Sequence, residues 1–422
     1  MRANTPPASL PASLLIDVTR LVSRRMEDKL PTGVDRVGLE YVRYYGHRAR
    51  AVIRWAWRSW VLPRAQSAQL FALLLEPSFE SQSAKSAVPI IALGIFKGWF
   101  QQKYGQNTAG EFLFNTGHSG LENPRYSAML KAMQVRPLFV VHDLIPITHP
   151  EYSRVGEDQK HVTRMNQLLA VASGVITNSQ ATLNDLSHYA QQSAQLVPAA
   201  AVGLLAPGMT LQIQPGVRPI AAPYFVILST IEPRKNHVML LQIWRRLVET
   251  LGVDGANRAP HLLVIGQRGW ECENVVDLLE RCTELKGVVT ELNGCSDQDL
   301  ITYLHHAQAL LFPSFAEGYG MPLVEALALG VPVIASDLPV FREIAADIPE
   351  YIDPLDGRRW MELITEYAQP DSARRAAQLE RITQFKTPGW EDHFASVDAL
   401  LAQLTQSAQS AVLDSSDQVG AA

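Results

Sequence analysis

The sequence predicts an α/β protein built from two Rossmann-like, doubly wound parallel-sheet domains, and three observations carry that prediction. The chain has 422 residues, more than one ordinary core needs and enough for two domains of usual size. Short apolar, β-branched runs alternate with helix-like stretches twice over, first from Leu14 and again from Tyr224, which is the pattern of parallel βαβ units. Between the two series, Pro207 to Pro223 holds four prolines and few charges, as a linker does.

In the first series LLIDVTRLV reads as a strand, PTG as a turn and VDRVGLEYVRYY as a helix. AVIRWAW, EFLFNT, PLFVVHDL and GVITNS follow as buried-strand candidates, with a helical stretch containing HVTRMNQLLAVA between the last two. Residues 1–13 read as a polar, proline-containing leader and residues 77–87 as a polar loop. VPIIALGIFKGWF, which comes next, reads as a core segment, with a membrane-touching helix as the other reading. A first domain at 14–206 and a hinge-type linker at 207–223 result, so that the domains are expected to move.

The second series is the more regular. Strands at YFVILST, HLLVIG, GVVTEL, ALLFPS and PVIAS alternate with helices at HVMLLQIWRRLVETL, ENVVDLLERCTEL, DQDLITYLHHA and PLVEALAL, giving a domain at 224–387. Strands stop after Asp353, and Trp360 to Leu404 looks helical with a break at Pro388 and Gly389. A closing helix is placed at 388–404, with packing back on the first domain as one arrangement, and the Ser-, Ala- and Gln-rich residues 405–422 read as a disordered tail.

Composition narrows the class. With 47% hydrophobic and 19% charged residues the chain reads as globular, and no apolar run approaches the roughly 18 residues that a spanning helix requires. The N-terminus offers no apolar segment long enough for a signal peptide, and Cys272, Cys282 and Cys295 fit neither a CxxC pair nor a zinc site. Free thiols and a cytoplasmic location are expected. The net charge of −5 hides an asymmetry: residues 1–150 hold 18 Lys and Arg against 10 Asp and Glu, and residues 151–422 hold 19 against 32. Eleven basic and four acidic residues lie between Arg20 and Arg64, which either meet anionic lipid head groups or a phosphorylated acceptor, or form a solvated face. A peripheral position on the inner face of the membrane goes with the first of these. No nucleic-acid partner is expected.

The chemistry concentrates in PSFAEGYGMPLVEALALGVPVIAS, where Glu317 and Glu325 lie eight residues apart across a glycine-rich turn that opens a helix at about Pro322. Gly318 and Gly320 let backbone amides approach a ligand, and a helix N-terminus favours phosphate or sugar oxygens. Glu317 falls in the loop and Glu325 on the first helical turn, and carboxylates accept sugar hydroxyls. His142 closes the strand PLFVV, at the carboxyl end where open parallel sheets bind ligands. A histidine satisfied by turn backbone groups is the plainer reading of the same position.

EGYGMPLVEALALGVPVIASD resembles the E-x7-E signature of retaining glycosyltransferases with the GT-B fold, the large family four that includes many mannosyltransferases. The likeness extends through LSTIEPRKNH, IGQRGW, GVVTELNGCSDQDL and ALLFPS upstream and SDLPVFREI downstream. In the first domain TGHSGLENP, VVHDLIPITHPEY and ITNSQAT look like bacterial surface-polysaccharide glycosyltransferases. The resemblance implies that Glu317 contacts the donor sugar and Glu325 the ribose hydroxyls, with Gly266, Gly318, Gly320, Met321, Pro322 and Leu323 around the donor. It implies that Arg234 and Lys235 neutralise the diphosphate, approached from the first domain by Gly33, and that the His142 ring contacts the transferred sugar while Asp143 orients its loop. Thr116, His118 and Ser119 would line the acceptor pocket. Hexose transfer with retention would follow, from a nucleotide-sugar co-substrate, GDP-mannose first, to a growing, lipid-linked surface polysaccharide, with neither metal nor cofactor.

Asp297-Gln298-Asp299 spells a DxD, but Ser296 with Asp299 three residues later fits a helix capping box instead of a metal site. His305 and His306 are adjacent on that helix and point apart. No GxG dinucleotide fingerprint follows a first strand. A nucleotide-sugar 2-epimerase of the same architecture and a non-catalytic sugar-nucleotide-binding protein are the competing classes.

Overall fold

The computed structural model describes residues 13–27, 29, 31–55, 58–76, 89–94, 108–209, 214–252 and 255–419. The chain divides into two units, one of Met1–Ile147, Asp158–Leu205 and Trp390–Ala422, the other of Thr148–Glu157 and Ala206–Gly389.

Unit 1 is a seven-stranded sheet of β1 (Leu14–Asp17), β2 (Ala49–Trp55), β3 (Arg58–Val61), β4 (Phe112–Asn115), β5 (Arg136–Val141), β6 (Gly174–Thr177) and β7 (Ala200–Val202), in the order β3-β2-β1-β4-β5-β6-β7. All pairs are parallel except β2 with β3, which run antiparallel with Trp55 opposite Arg58. The four residues of β1, β4 and β6 are all buried, which is why each reads as a short apolar run, closed by Asp17, Asn115 and Thr177, and not as an alternation.

LLIDVTRLV is not one strand. The Asp17 carboxylate accepts from the Thr19 N–H at 3.0 Å, so the chain leaves the sheet there and enters the helix Thr19–Met26. AVIRWAW likewise ends early and returns as β3, an antiparallel edge strand. Of the apolar stretch 88–100, residues 89–94 are helical, with Ala92 exposed and Leu93 46% exposed, so this part is not core; the remainder lies outside the described residues, as does all of the leader but residue 13.

The arginine-rich stretch is largely an internal ion-pair set. Arg20 and Arg24 face Asp35 at 2.7 and 2.8 Å, Arg50 faces Glu111 and Arg54 faces Asp17 both at 2.6 Å, and Arg48 lies 3.5 Å from Asp398. An open basic face for lipid is therefore much reduced.

The last helix, Trp390–Val419, closes the core of unit 1. Phe394 stacks on Tyr44 with ring centroids 4.0 Å apart, and Val397, Leu400 and Leu401 are buried. His393 Nδ1 donates to the Gly203 carbonyl at 3.0 Å, which leaves Nε2 to accept from the Tyr41 hydroxyl at 3.0 Å. The expected disordered tail from residue 405 is instead helical to Val419, because Ala, Leu and Gln favour helix even where nothing is apolar enough to look packed.

Unit 2 is an all-parallel sheet of β8 (Tyr224–Leu228), β9 (His261–Ile265), β10 (Val289–Leu292), β11 (Leu310–Phe312), β12 (Val333–Ser336) and β13 (Glu350–Ile352), in the order β10-β9-β8-β11-β12-β13. Trp244 and Trp360 are fully buried in its core, and each indole N–H is satisfied by a backbone carbonyl, Pro260 at 2.7 Å and Asp353 at 3.1 Å. Part of the proline-rich linker is tied down: Gly216 N–H donates to Thr302 Oγ1 at 2.8 Å, and Gln298 and His306 donate to the Gln214 and Gly216 carbonyls at 2.7 and 2.9 Å. This tacks residues 214–216 to the helix Asp297–His305.

Each sheet reverses its winding once, between β1 and β4 in unit 1 and between β8 and β11 in unit 2. The loops at the carboxyl ends of those strands are where an open parallel sheet offers a binding crevice.

Candidate functional site

In unit 2 the switch point gathers two adjacent cations, Arg234 and Lys235, and a carboxylate, Glu317, that lies 82 residues from Lys235 in sequence. After β8 the chain makes a single 3-10 turn, Pro233–Lys235, and is turned away by Asn236 in the left-handed conformation at φ 58. After β11 a loop runs from Pro313 to Gly320 and carries Glu317. Arg234 Nη1 lies 2.8 Å from the Glu317 carboxylate and also donates to the Ala316 carbonyl at 2.6 Å, while Lys235 Nζ donates to the other Glu317 oxygen. The three side chains are 16%, 11% and 8% exposed, so this is no surface pair.

Burial alone would raise the Glu317 pKa, but the Arg234 and Lys235 charges outweigh it and hold the carboxyl at about 2. Lys235 is lowered, since burial and the Arg234 charge prevail over the two nearby carboxylates. The second of these is Glu232, which burial pushes up and which accepts from Arg234 Nη2 at 2.7 Å. Two cations and two carboxylates thus form one buried cluster, with Lys235 Nζ also 5.4 Å from the Phe312 ring centre.

The glycine turn has a steric cause. Gly320 sits at φ +118, and a Cβ there would meet the Phe341 ring at 2.7 Å. The helix starts at Met321, a residue before the expected position, which puts Glu325 at the start of its second turn. Glu325 is buried and accepts from the Gly208 N–H at 3.1 Å. Leu323 is fully buried, and its N–H donates to the Gly320 carbonyl at 3.0 Å. Gly266, at φ +152, allows the end of β9 to pass the Ser229 carbonyl, which a Cβ would meet at 1.9 Å.

In unit 1, β5 ends at Val141 and delivers His142, whose Nε2 donates to the Thr116 carbonyl at 2.7 Å. The loop after β4 supplies His118 at φ 55, with its ring 5.6 Å from that of His142 and 5.8 Å from that of His161. Burial, reinforced by the two neighbouring histidines, drives the His118 pKa well below its usual value, and burial lowers that of His142. Both rings are neutral at neutral pH. Arg20, His118, Ser119, His142, Asp143 and Arg164 line a cavity of about 260 Å³. Asp143 accepts from the Ile145 N–H at 3.1 Å, within its own loop. Thr116 stands behind the cavity as the His142 acceptor, and Gly33 opens the helix Gly33–Tyr45 with open space at its Cβ position.

Three residues were not legible as site components. Glu232 sits in the same turn as Arg234 but has no spacing to mark it. His161 reaches the cavity histidines from the helix Glu157–Val171. Asp35 is almost fully buried and binds Arg20, Arg24, and both the N–H and hydroxyl of Thr32; its signal was the capping spacing Thr32-x-x-Asp35. The DxD, by contrast, forms a cap: Ser296 Oγ accepts from the Asp299 N–H at 3.1 Å and donates to its carboxylate at 2.7 Å.

Residues 212–351 match the family described as Glycosyl transferases group 1. The chain is 30% identical over 256 residues to the serotype-specific mannosyltransferase WbdA of Escherichia coli, covering 56% of this chain and 31% of that protein. It is 34% identical over 169 residues to the O-antigen chain mannosyltransferase B of Escherichia coli, covering 40% and 43%. The chain therefore spans less than half the length of these curated relatives. The crystal structure of Anabaena HepE in complex with UDP and glucose superposes with a TM-score of 0.59 at 16% identity, covering 96% of this chain and all of that one. At that identity the likeness shows the fold, which is GT-B.

Proposed function

We propose that this chain, a GT-B protein carrying a glycosyl transferases group 1 segment, moves a hexose from a nucleotide-diphosphate sugar to a growing saccharide. The observation that supports it most is the buried Arg234–Lys235–Glu317 cluster at the switch point of unit 2. A diphosphate entering beside these cations competes with Glu317 for them, and a carboxylate so released is an acceptor for the donor's sugar hydroxyls. As the nucleoside diphosphate leaves, Lys235 and Arg234 stabilise the charge that grows on it, which is the main electrostatic task of the reaction. Retention follows from a front-face route in which the leaving phosphate takes the acceptor proton, so no protein nucleophile is needed. Glu325 holds the ribose and Gly318, Gly320, Met321 and Pro322 border the donor. In unit 1 neutral His142 contacts the transferred sugar, and His118 and Ser119 border the acceptor.

The finer reading is mannose from GDP-mannose, placed on a lipid-linked surface polysaccharide, and two relatives named as mannosyltransferases favour it. Transfer from labelled donor tests the assignment: Lys235→Ala should lose about 100- to 1,000-fold in kcat, as removal of a charge-stabilising donor does. Wild-type turnover by that variant would sink it. Release of sugar or epimer from donor alone at the transfer rate would favour the epimerase class instead.

A further inference from the structure

Beside the histidine cavity of unit 1 lies a second one, of about 300 Å³, whose wall it shares at Ser119 and Glu122. Three arginines line it, from three different elements: Arg54 on β2, Arg58 at the start of β3, and Arg125 in the first turn of the helix Pro124–Ala132. The side chain of Arg54 is 14% exposed and fixed by Asp17 at 2.6 Å and by the Ser119 carbonyl and hydroxyl at 2.7 and 2.6 Å, lying over the Tyr126 ring. Arg58 and Arg125 are exposed and form no ion pair among the described residues. The one acid in the wall, Glu122, is 3.4 Å from Arg164. The lining therefore keeps positive charge uncompensated, whereas the other arginines of β2 and its neighbours are spent on internal pairs. Gly120 shapes the opening: at φ +87 it passes Arg54 so closely that a Cβ would stand 1.8 Å from Nη1. Gly117 does the same for Arg20 on the histidine side, where a Cβ would meet Cδ at 2.8 Å. The loop between the two cavities is thus glycine-bounded to admit one arginine on each side.

From this geometry we infer that the second cavity is an anion subsite, which holds a phosphoryl group of the acceptor while the accepting sugar occupies the histidine cavity. The inference rests on the proposed transfer only for the sugar's place; the anion site itself does not. Planar guanidinium groups contributed by three elements suit phosphate oxygens, and the N-terminus of the helix Pro124–Ala132 adds a favourable field.

Two measurements decide it with the full chain. First, inorganic diphosphate is titrated calorimetrically into an Arg234→Ala/Lys235→Ala background, which removes the donor-side cations. Saturable binding that weakens about tenfold or more on adding Arg58→Ala/Arg125→Ala supports the site; absent binding, or binding indifferent to those changes, overturns it. Second, transfer is compared among a neutral saccharide, the same saccharide as a soluble phosphate, and the same saccharide on an isoprenyl diphosphate. The ratio of kcat/KM for a phosphorylated acceptor over the neutral one should fall about tenfold or more in Arg58→Ala/Arg125→Ala. A fall for both phosphorylated acceptors identifies the phosphoryl group itself, and a fall for the isoprenyl diphosphate alone assigns the site to a lipid-borne diphosphate. An unchanged ratio for both refutes the subsite. If no acceptor is used by the unmodified chain, the transfer proposal fails and the first measurement still judges the anion site.

Discussion

Replacing Glu317 by Gln keeps the shape of the cluster and removes one charge. The carboxyl titrates at about 2 in the folded chain against an ordinary 4.5, and a shift of this size corresponds to roughly 3 kcal/mol of stabilisation at neutral pH. That falls in the range of about 3–5 kcal/mol for breaking a buried pair from one side, which strands Arg234 and Lys235 beside each other. The sign is fixed by the depressed value: the folded state holds this proton more weakly, so the stabilisation is complete above pH about 4.5 and is lost as pH falls through about 2. Wild type and Glu317→Gln should therefore differ by roughly 3 kcal/mol at pH 7 and by only about 1.5 kcal/mol at pH 3. Urea unfolding at both pH values, followed by hydrogen exchange of amides in β8 and β11, isolates unit 2 from unit 1. A gap under about 1 kcal/mol at pH 7, or one that does not narrow at pH 3, would refute the charge assignment.

Two further outcomes are expected. Buried His237 and His393 titrate at about 3 and about 4, below the 6.5 of an unfolded histidine, so the unfolded chain binds more protons between these values. Stability should fall as pH drops below about 6.5, by about 2 kcal/mol per such histidine at pH 5; urea midpoints that stay flat from pH 7 to 5 would contradict this. Ending the chain at Gly389 removes Phe394, Val397, Leu400 and Leu401 from the core of unit 1, at roughly 1.5–3 kcal/mol each, which is on the scale of a domain's whole stability. Unit 1 amides should lose exchange protection while those of unit 2 keep it, and retained protection in β6 and β7 would show that the helix is dispensable.

Much of the fold was readable because a parallel strand buried on both faces announces itself by three or four apolar residues in a row, as Phe225 to Leu228 and Val333 to Ala335 do. The misses are edge elements. Ala200–Val202 and Glu350–Ile352 are only three residues long and partly exposed, so neither composition nor alternation marks them. The antiparallel pairing of β2 with β3 was hidden because AVIRWAW spells a single strand-like run through Trp57. At the site, Glu317 and Glu325 were visible as a spacing, and Arg234 and Lys235 as cations after a strand. That Lys235 and Arg234 grip one oxygen each of Glu317 was not visible, since the loops meet only through the parallel pairing of β8 with β11. Charge along the sequence misled most: the basic run from Arg20 looked free because its partners Asp398 and Glu111 are remote in the chain.

The docking of Trp390–Val419 on unit 1 also sets the order in which the protein can be made. A ribosome completes β1 to β7, then all of unit 2, and only afterwards the helix that covers Tyr41, Tyr44 and Tyr45. For the time it takes to synthesise the intervening residues, about ten to forty seconds at common elongation rates, the nascent first sheet carries an uncovered aromatic face. Unit 2, whose strands are all encoded before the helix emerges, can reach its native state first, so the half of the protein made earlier is the half that finishes folding later.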